Sequence, residues 1–68
     1  MTARERQVAR LVTDGLTNRE IAGELYLSPK TVSAHVEHIL TKLGATTRTQ
    51  IASWMLAERG AGGSGGAQ

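Results

Sequence analysis

Two histidines, His35 and His38, stand three residues apart. On a helix that spacing puts both imidazoles on one face, where they could share a metal ion. The chain has zero cysteines, and no third ligand follows at a suitable spacing, so no metal site is expected. Gly62-Gly-Ser-Gly-Gly66 matches the G-x-S-x-G pattern of a nucleophilic serine. That chemistry needs a strand before the serine, a helix after it, and an acid and a histidine further on. This stretch supplies none of them. No constellation for catalysis remains, so the chain is read as a non-enzyme that uses no cofactor.

The 68 residues suffice for one small domain. Lys and Arg number 8 against 6 Asp and Glu, a net charge of +2. That surplus is unevenly placed. Through Leu27 four arginines balance four acids; from Ser28 onward Lys30, Lys42, Arg48 and Arg59 outweigh Glu37 and Glu58. With no Phe, one Tyr and one Trp, the chain lacks a stacking platform for single-stranded nucleic acid. No apolar run approaches the roughly 18–20 residues of a membrane span, and no signal peptide opens the chain. Without cysteines, a reducing compartment fits, and a cytoplasmic location is expected. The stretch from Gly60 to Gln68 holds five of the eight glycines and no large apolar side chain. It predicts a flexible tail over 60–68 behind a folded domain over 1–59.

Four helix starts punctuate that domain. Thr2-Ala-Arg-Glu5 and Thr17-Asn-Arg-Glu20 each fit a capping box. Ser28-Pro29 places an N-cap before a proline at the first helical position. Thr47-Arg-Thr-Gln50 is the fourth. Gly15, Gly44 and Gly60 stand where helices could stop. The apolar spacing predicts helices over 3–14, 18–26, 29–43 and 48–59. Their core faces would be Val8, Leu11 and Val12; Ile21, Ala22 and Leu25; Val32, Val36, Ile39, Leu40 and Leu43; and Ile51, Ala52, Met55 and Leu56. The early arginines should mostly form solvated pairs with Glu5, Asp14, Glu20 and Glu24. The fold class is all-α, a four-helix bundle. Its second and third helices are separated by about three residues, the layout of a helix-turn-helix whose second helix can enter a DNA major groove.

The strings that fill this layout resemble a known family. They are Thr2-x-Arg4-Glu5-x-x-Val8, Leu16-Thr-Asn-Arg-Glu-Ile-Ala22 and Leu27-Ser-Pro-Lys-Thr-Val32, then His35, Ile39, Lys42-Leu43 and Arg48. Together they are similar to the LuxR/NarL/FixJ-type DNA-binding domain over residues 1–59, with Met1 where that family usually has Leu. The resemblance implies an output domain of a bacterial transcriptional regulator that binds double-stranded DNA, its third helix in the major groove. Such domains usually follow a receiver or ligand-binding domain, so the chain looks like an isolated output module or a fragment.

The resemblance also implies roles for single residues. Ser33, Ala34 and Glu37 would face base edges, with His38 on the same outer side. Ser33 and Glu37 depart from the basic or amide residues frequent there. Glu37 either accepts from cytosine N4 or simply weakens non-specific binding by repelling phosphates. Lys30 and Thr31 open the third helix, where free amides and the helix dipole favour phosphate. Lys42, Arg48 and Thr49 are further phosphate candidates, as are Thr17 and Asn18. His35 reads as a packed residue. The family commonly dimerises through its fourth helix. Gln50, Ser53, Trp54 and Ala57 form a stripe there that suits a weak homodimer strengthened on DNA, or else Trp54 caps the core edge. The competing reading is a protein-interaction module whose exposed face meets a partner such as RNA polymerase.

Overall fold

The computed structural model describes the backbone of residues 1–63 and the side chains of residues 1–58. Four α-helices follow one another: α1 (Ala3–Thr13), α2 (Asn18–Leu25), α3 (Pro29–Leu43) and α4 (Arg48–Gly63). α1 packs on α4 and α3, and α2 packs on α3 as the first half of a helix-turn-helix. The fully buried Val8, Ile21, Val32, Ile39 and Ile51 come from all four helices and meet at one centre. Burying a side chain of this kind contributes about 1.5–3 kcal/mol. Leu11, Leu25, Leu40, Leu43 and Met55 close over that centre from its edges.

Each of the four starts is capped by the residue its sequence offers. The hydroxyls of Thr2 and Thr17 accept the amides of Glu5 and Glu20, and both glutamates reach back to the cap. Ser28 accepts from the amide of Thr31. At α4 the side-chain Oε1 of Gln50 accepts from the Thr47 backbone amide at 3.1 Å, and the Gln50 backbone amide donates to the Thr47 hydroxyl at 3.3 Å.

The ends follow one plan, and here the structure corrects the sequence reading. Gly15 and Gly44 take left-handed backbone, with φ of 90° and 65°. The next amide in each case, of Leu16 or Ala45, closes back to the carbonyl of Leu11 or Leu40. This is the Schellman closure. α2 ends the same way without a glycine: Tyr26 sits at φ 57°, and the Leu27 amide donates to the Ala22 carbonyl at 2.9 Å. Gly60, expected to stop α4, lies inside it, and the helix runs to Gly63 instead of Arg59. Glycine permits left-handed backbone but does not impose it. Residues 64–68 of the expected tail lie outside the described residues.

Several core assignments also change: Ala52, expected in the core, is only half-buried, and Ala9, not expected there, is fully buried. Leu56 is 55% exposed and does not join the core. Glu5, expected in a solvated pair, is only 4% exposed. Glu5, Val8, Ala9 and Val12 are the buried residues of α1 and follow the i, i+3, i+4, i+7 rule. Both oxygens of the buried carboxylate face a partner. Oε1 accepts from the Thr2 amide and from Lys42 Nζ, both at 3.0 Å, and Oε2 lies 3.6 Å from His38 Nδ1. The Thr2 amide first, and then the Lys42 ammonium, hold the Glu5 carboxyl down to about 2, against the opposing effect of burial. Among the arginines, Arg6 pairs with Glu58 of α4 at 2.9 Å on the surface. Such a pair contributes at most about 1 kcal/mol.

Two outcomes are expected. The folded-state pKa of Glu5 lies below its unfolded value, so its stabilisation is complete above about pH 4.5 and is lost as the pH falls towards about 2. Urea unfolding followed across that window should show a shallower pH dependence in Glu5→Gln than in the wild type. Tyr26 is 95% exposed and its side chain supports little packing, so Tyr26→Gly should relieve left-handed backbone strain and stabilise the fold by about 0.5–1 kcal/mol in the same assay.

Candidate nucleic-acid interface

α3 is the element that the rest of the domain presents. Its 15 residues span about 22 Å. Val32, Val36 and Ile39 anchor its inner face. The rest of its surface exposes Lys30, Thr31, Ala34, Glu37, His38, Thr41 and Lys42, with His38 and Lys42 at the edge that meets α1. Three of the four side chains assigned to base edges, Ala34, Glu37 and His38, therefore share one solvent-facing surface. Ser33 and His35 are half-buried at its flanks.

The start of α3 has less free hydrogen-bonding capacity than its sequence suggests. Pro29 has no N–H, and Ser28 takes the amide of Thr31 and contacts its hydroxyl at 2.9 Å. The Lys30 amide and the exposed Lys30 ammonium are left to meet an anion there.

A second cluster gathers residues that lie far apart in the chain. Arg48, at the start of α4, donates from Nη1 to Asn18 Oδ1 and from Nη2 to the Leu16 carbonyl at 2.7 Å. Thr17 caps α2 beside it, and Thr49 is exposed one residue further along α4. Four phosphate candidates, Thr17, Asn18, Arg48 and Thr49, thus come together where α2 and α4 begin. Arg48 is first a cross-brace here: it satisfies a loop carbonyl and orients Asn18. A guanidinium has five N–H donors, so three remain beyond the two in use. Lys42 stands apart from this group, at the far end of α3. Its ammonium donates to Glu5, with two further donors left.

On α4, Ser53 and Ala57 are exposed and Trp54 is half-buried. Leu56, two residues after Trp54 and so on another side of the helix, is exposed as well. Gln50 is also exposed, but its side-chain Oε1 is committed to the backbone amides of Thr46 and Thr47. Sequence reasoning missed Leu56 and Glu5. The signal for Glu5 was present, since it falls on the core stripe of α1. Leu56 gave no such signal, because a leucine at that spacing reads as core.

A family model described as bacterial regulatory proteins, luxR family, matches residues 1–55. The chain is 50% identical over 50 residues to the transcriptional regulatory protein DegU of Brevibacillus brevis, covering 74% of this chain and 21% of that protein. It is 47% identical over 55 residues to the transcriptional regulatory protein UhpA of Salmonella typhimurium, 81% of this chain and 28% of that one. It is 39% identical over 59 residues to the nitrate/nitrite response regulator protein NarL of Escherichia coli K12, 87% of this chain and 27% of that one. A relative from Mycobacterium bovis, 47% identical over 51 residues, is matched over 6% of its length. The chain therefore spans a minor part of each of these longer proteins. A helix-turn-helix with an outward α3, joined to a family match over most of the chain, settles the assignment: this chain belongs to the luxR family of bacterial regulatory proteins, as a DNA-binding helix-turn-helix domain.

Proposed function

We propose that this domain recognises double-stranded DNA by placing α3 in the major groove, and that two copies pair through α4 on adjacent half-sites. The observation that carries the reading is the exposed face of α3, which is backed by a rigid core and offers polar and charged side chains over its whole length. Ala34 suits a thymine methyl, and Glu37 an exocyclic amine of cytosine or the repulsion of a misplaced phosphate. Ser33 and His38 complete the base-facing set. Thr17, Asn18, Arg48 and Thr49 would hold one stretch of backbone, with Lys30 and Thr31 at the near end of α3 and Lys42 at its far end. Residues 1–59 contain every core, cap and contact side chain named and form the reading unit. No described helix is long and apolar enough to cross a membrane, and a DNA reader of a bacterial regulator acts in the cytoplasm.

The α4 surface of Ser53, Trp54 and Ala57 is small, with one aromatic anchor. It suits a homodimer that is weak in solution and completed on DNA, with half-sites about one helical turn apart. Gln50 borders that face but owes its carbonyl to the helix cap.

Fluorescence anisotropy against a selected site and random duplex, at several salt concentrations, tests the first part. With about three phosphates neutralised per protomer, log K for a dimer should fall with log salt at a slope of roughly −5. A flat salt response would sink the reading. Trp54→Ala should abolish cooperative binding to a paired site while leaving the half-site affinity within about twofold. Unchanged cooperativity would remove the α4 dimer reading, and the rival, a face that meets another protein such as RNA polymerase, would then be the one to test.

A further inference from the structure

We propose that Glu5 is a positioning residue for base recognition: it holds the His38 imidazole with a protonated Nδ1 turned inward, so that Nε2 is the atom offered to DNA. The inference rests on the reading of α3 as the helix that meets the bases. Glu5 belongs to α1 and lies beneath α3, almost wholly buried. Its Oε1 is occupied by the Thr2 amide and Lys42 Nζ, and its Oε2 faces His38 Nδ1 at 3.6 Å. His38 and Lys42 are four residues apart on α3, so a single carboxylate serves both side chains.

An ionised carboxylate only accepts. A bare Nδ1 lone pair facing Oε2 would set two negative ends against each other, so the ring proton belongs on Nδ1. At 3.6 Å the contact is longer than a hydrogen bond and works as electrostatic orientation. The other charged groups near the ring on α3 are Lys42, already bound to Glu5, and the exposed Glu37. The outer part of His38 is open to a ligand, its side chain being 76% exposed. A neutral imidazole protonated on Nδ1 offers Nε2 as an acceptor. In the major groove its partners are the amines of cytosine and adenine, whereas guanine presents only acceptors there. A buried residue of α1 would thus select, through His38, a donor-bearing base.

The test uses the 68-residue chain in alkaline buffer. Long-range proton–nitrogen spectra of the imidazole should show His38 protonated on Nδ1. In Glu5→Gln, which keeps a glutamine able to complete the cap of α1, the proton should move towards Nε2. A wild-type ring protonated on Nε2 overturns the proposal, and that result needs no variant to fold. In the DNA arm, Glu5→Gln should lower discrimination by about fivefold at the base pair that His38→Ala affects, and change nothing further in the His38→Ala background. Equal effects in both backgrounds would show that Glu5 acts through the fold alone and would also overturn it. If His38→Ala leaves discrimination unchanged at every pair, His38 is not a base contact; the proposal then fails with that reading, while the salt response still reports whether the domain binds DNA.

Discussion

A buried carboxylate is costly unless its charge and both oxygens are matched, and Glu5 is the one buried charged side chain among the described residues. Its partners come from both ends of the structure: the backbone at the very start of α1, and Lys42 near the end of α3. Satisfying Glu5 therefore requires α1 and α3 to lie in one particular arrangement. Hydrophobic contacts alone tolerate some sliding of one helix over another. A charge that must meet an amide and an ammonium tolerates little. The position of α3 on its support, and so the presentation of its outer face, depends on that match.

The helix ends apply the same economy. A domain this small buries only about 60% of its unfolded surface. It has no disulfide to limit the unfolded chain. Capping each start and closing the first three helices with left-handed residues leaves few backbone groups unmatched. Tyr26 shows what that closure demands. The turn between α2 and α3 needs a left-handed residue whatever its identity, because Leu27 must return to the Ala22 carbonyl to set the angle of α3. Arg48 extends the scheme across the chain by binding the Leu16 carbonyl left by the α1–α2 turn. The same residue that braces the fold then stands among the proposed phosphate contacts, so rigidity and binding draw on one set of side chains.

Much of this was legible in the sequence, for a physical reason. Caps, proline at a first helical position and apolar period act within a few residues of chain, so Thr2, Thr17, Ser28 and Thr47 marked the starts of all four helices. The outward face of α3 followed from the same period, since residues away from Val32, Val36 and Ile39 have nowhere to go but solvent. Period alone also marked Leu56 as core, and there it failed: α4 packs on α1 and α3, and Leu56 lies beyond the part of its surface that they cover.

The sequence by itself determined the four helices, the inner and outer faces of α3 and the family, because each depends on local spacing or on short strings of residues. The tertiary structure decided which distant groups meet: Glu5 with Lys42 and His38, Arg48 with Asn18 and Leu16, and Arg6 with Glu58. Those pairings join residues 30 to 52 positions apart. A charge carries no mark of its partner in a linear chain. Only the packed helices bring one ammonium, and not another, within 3.0 Å of a given carboxylate.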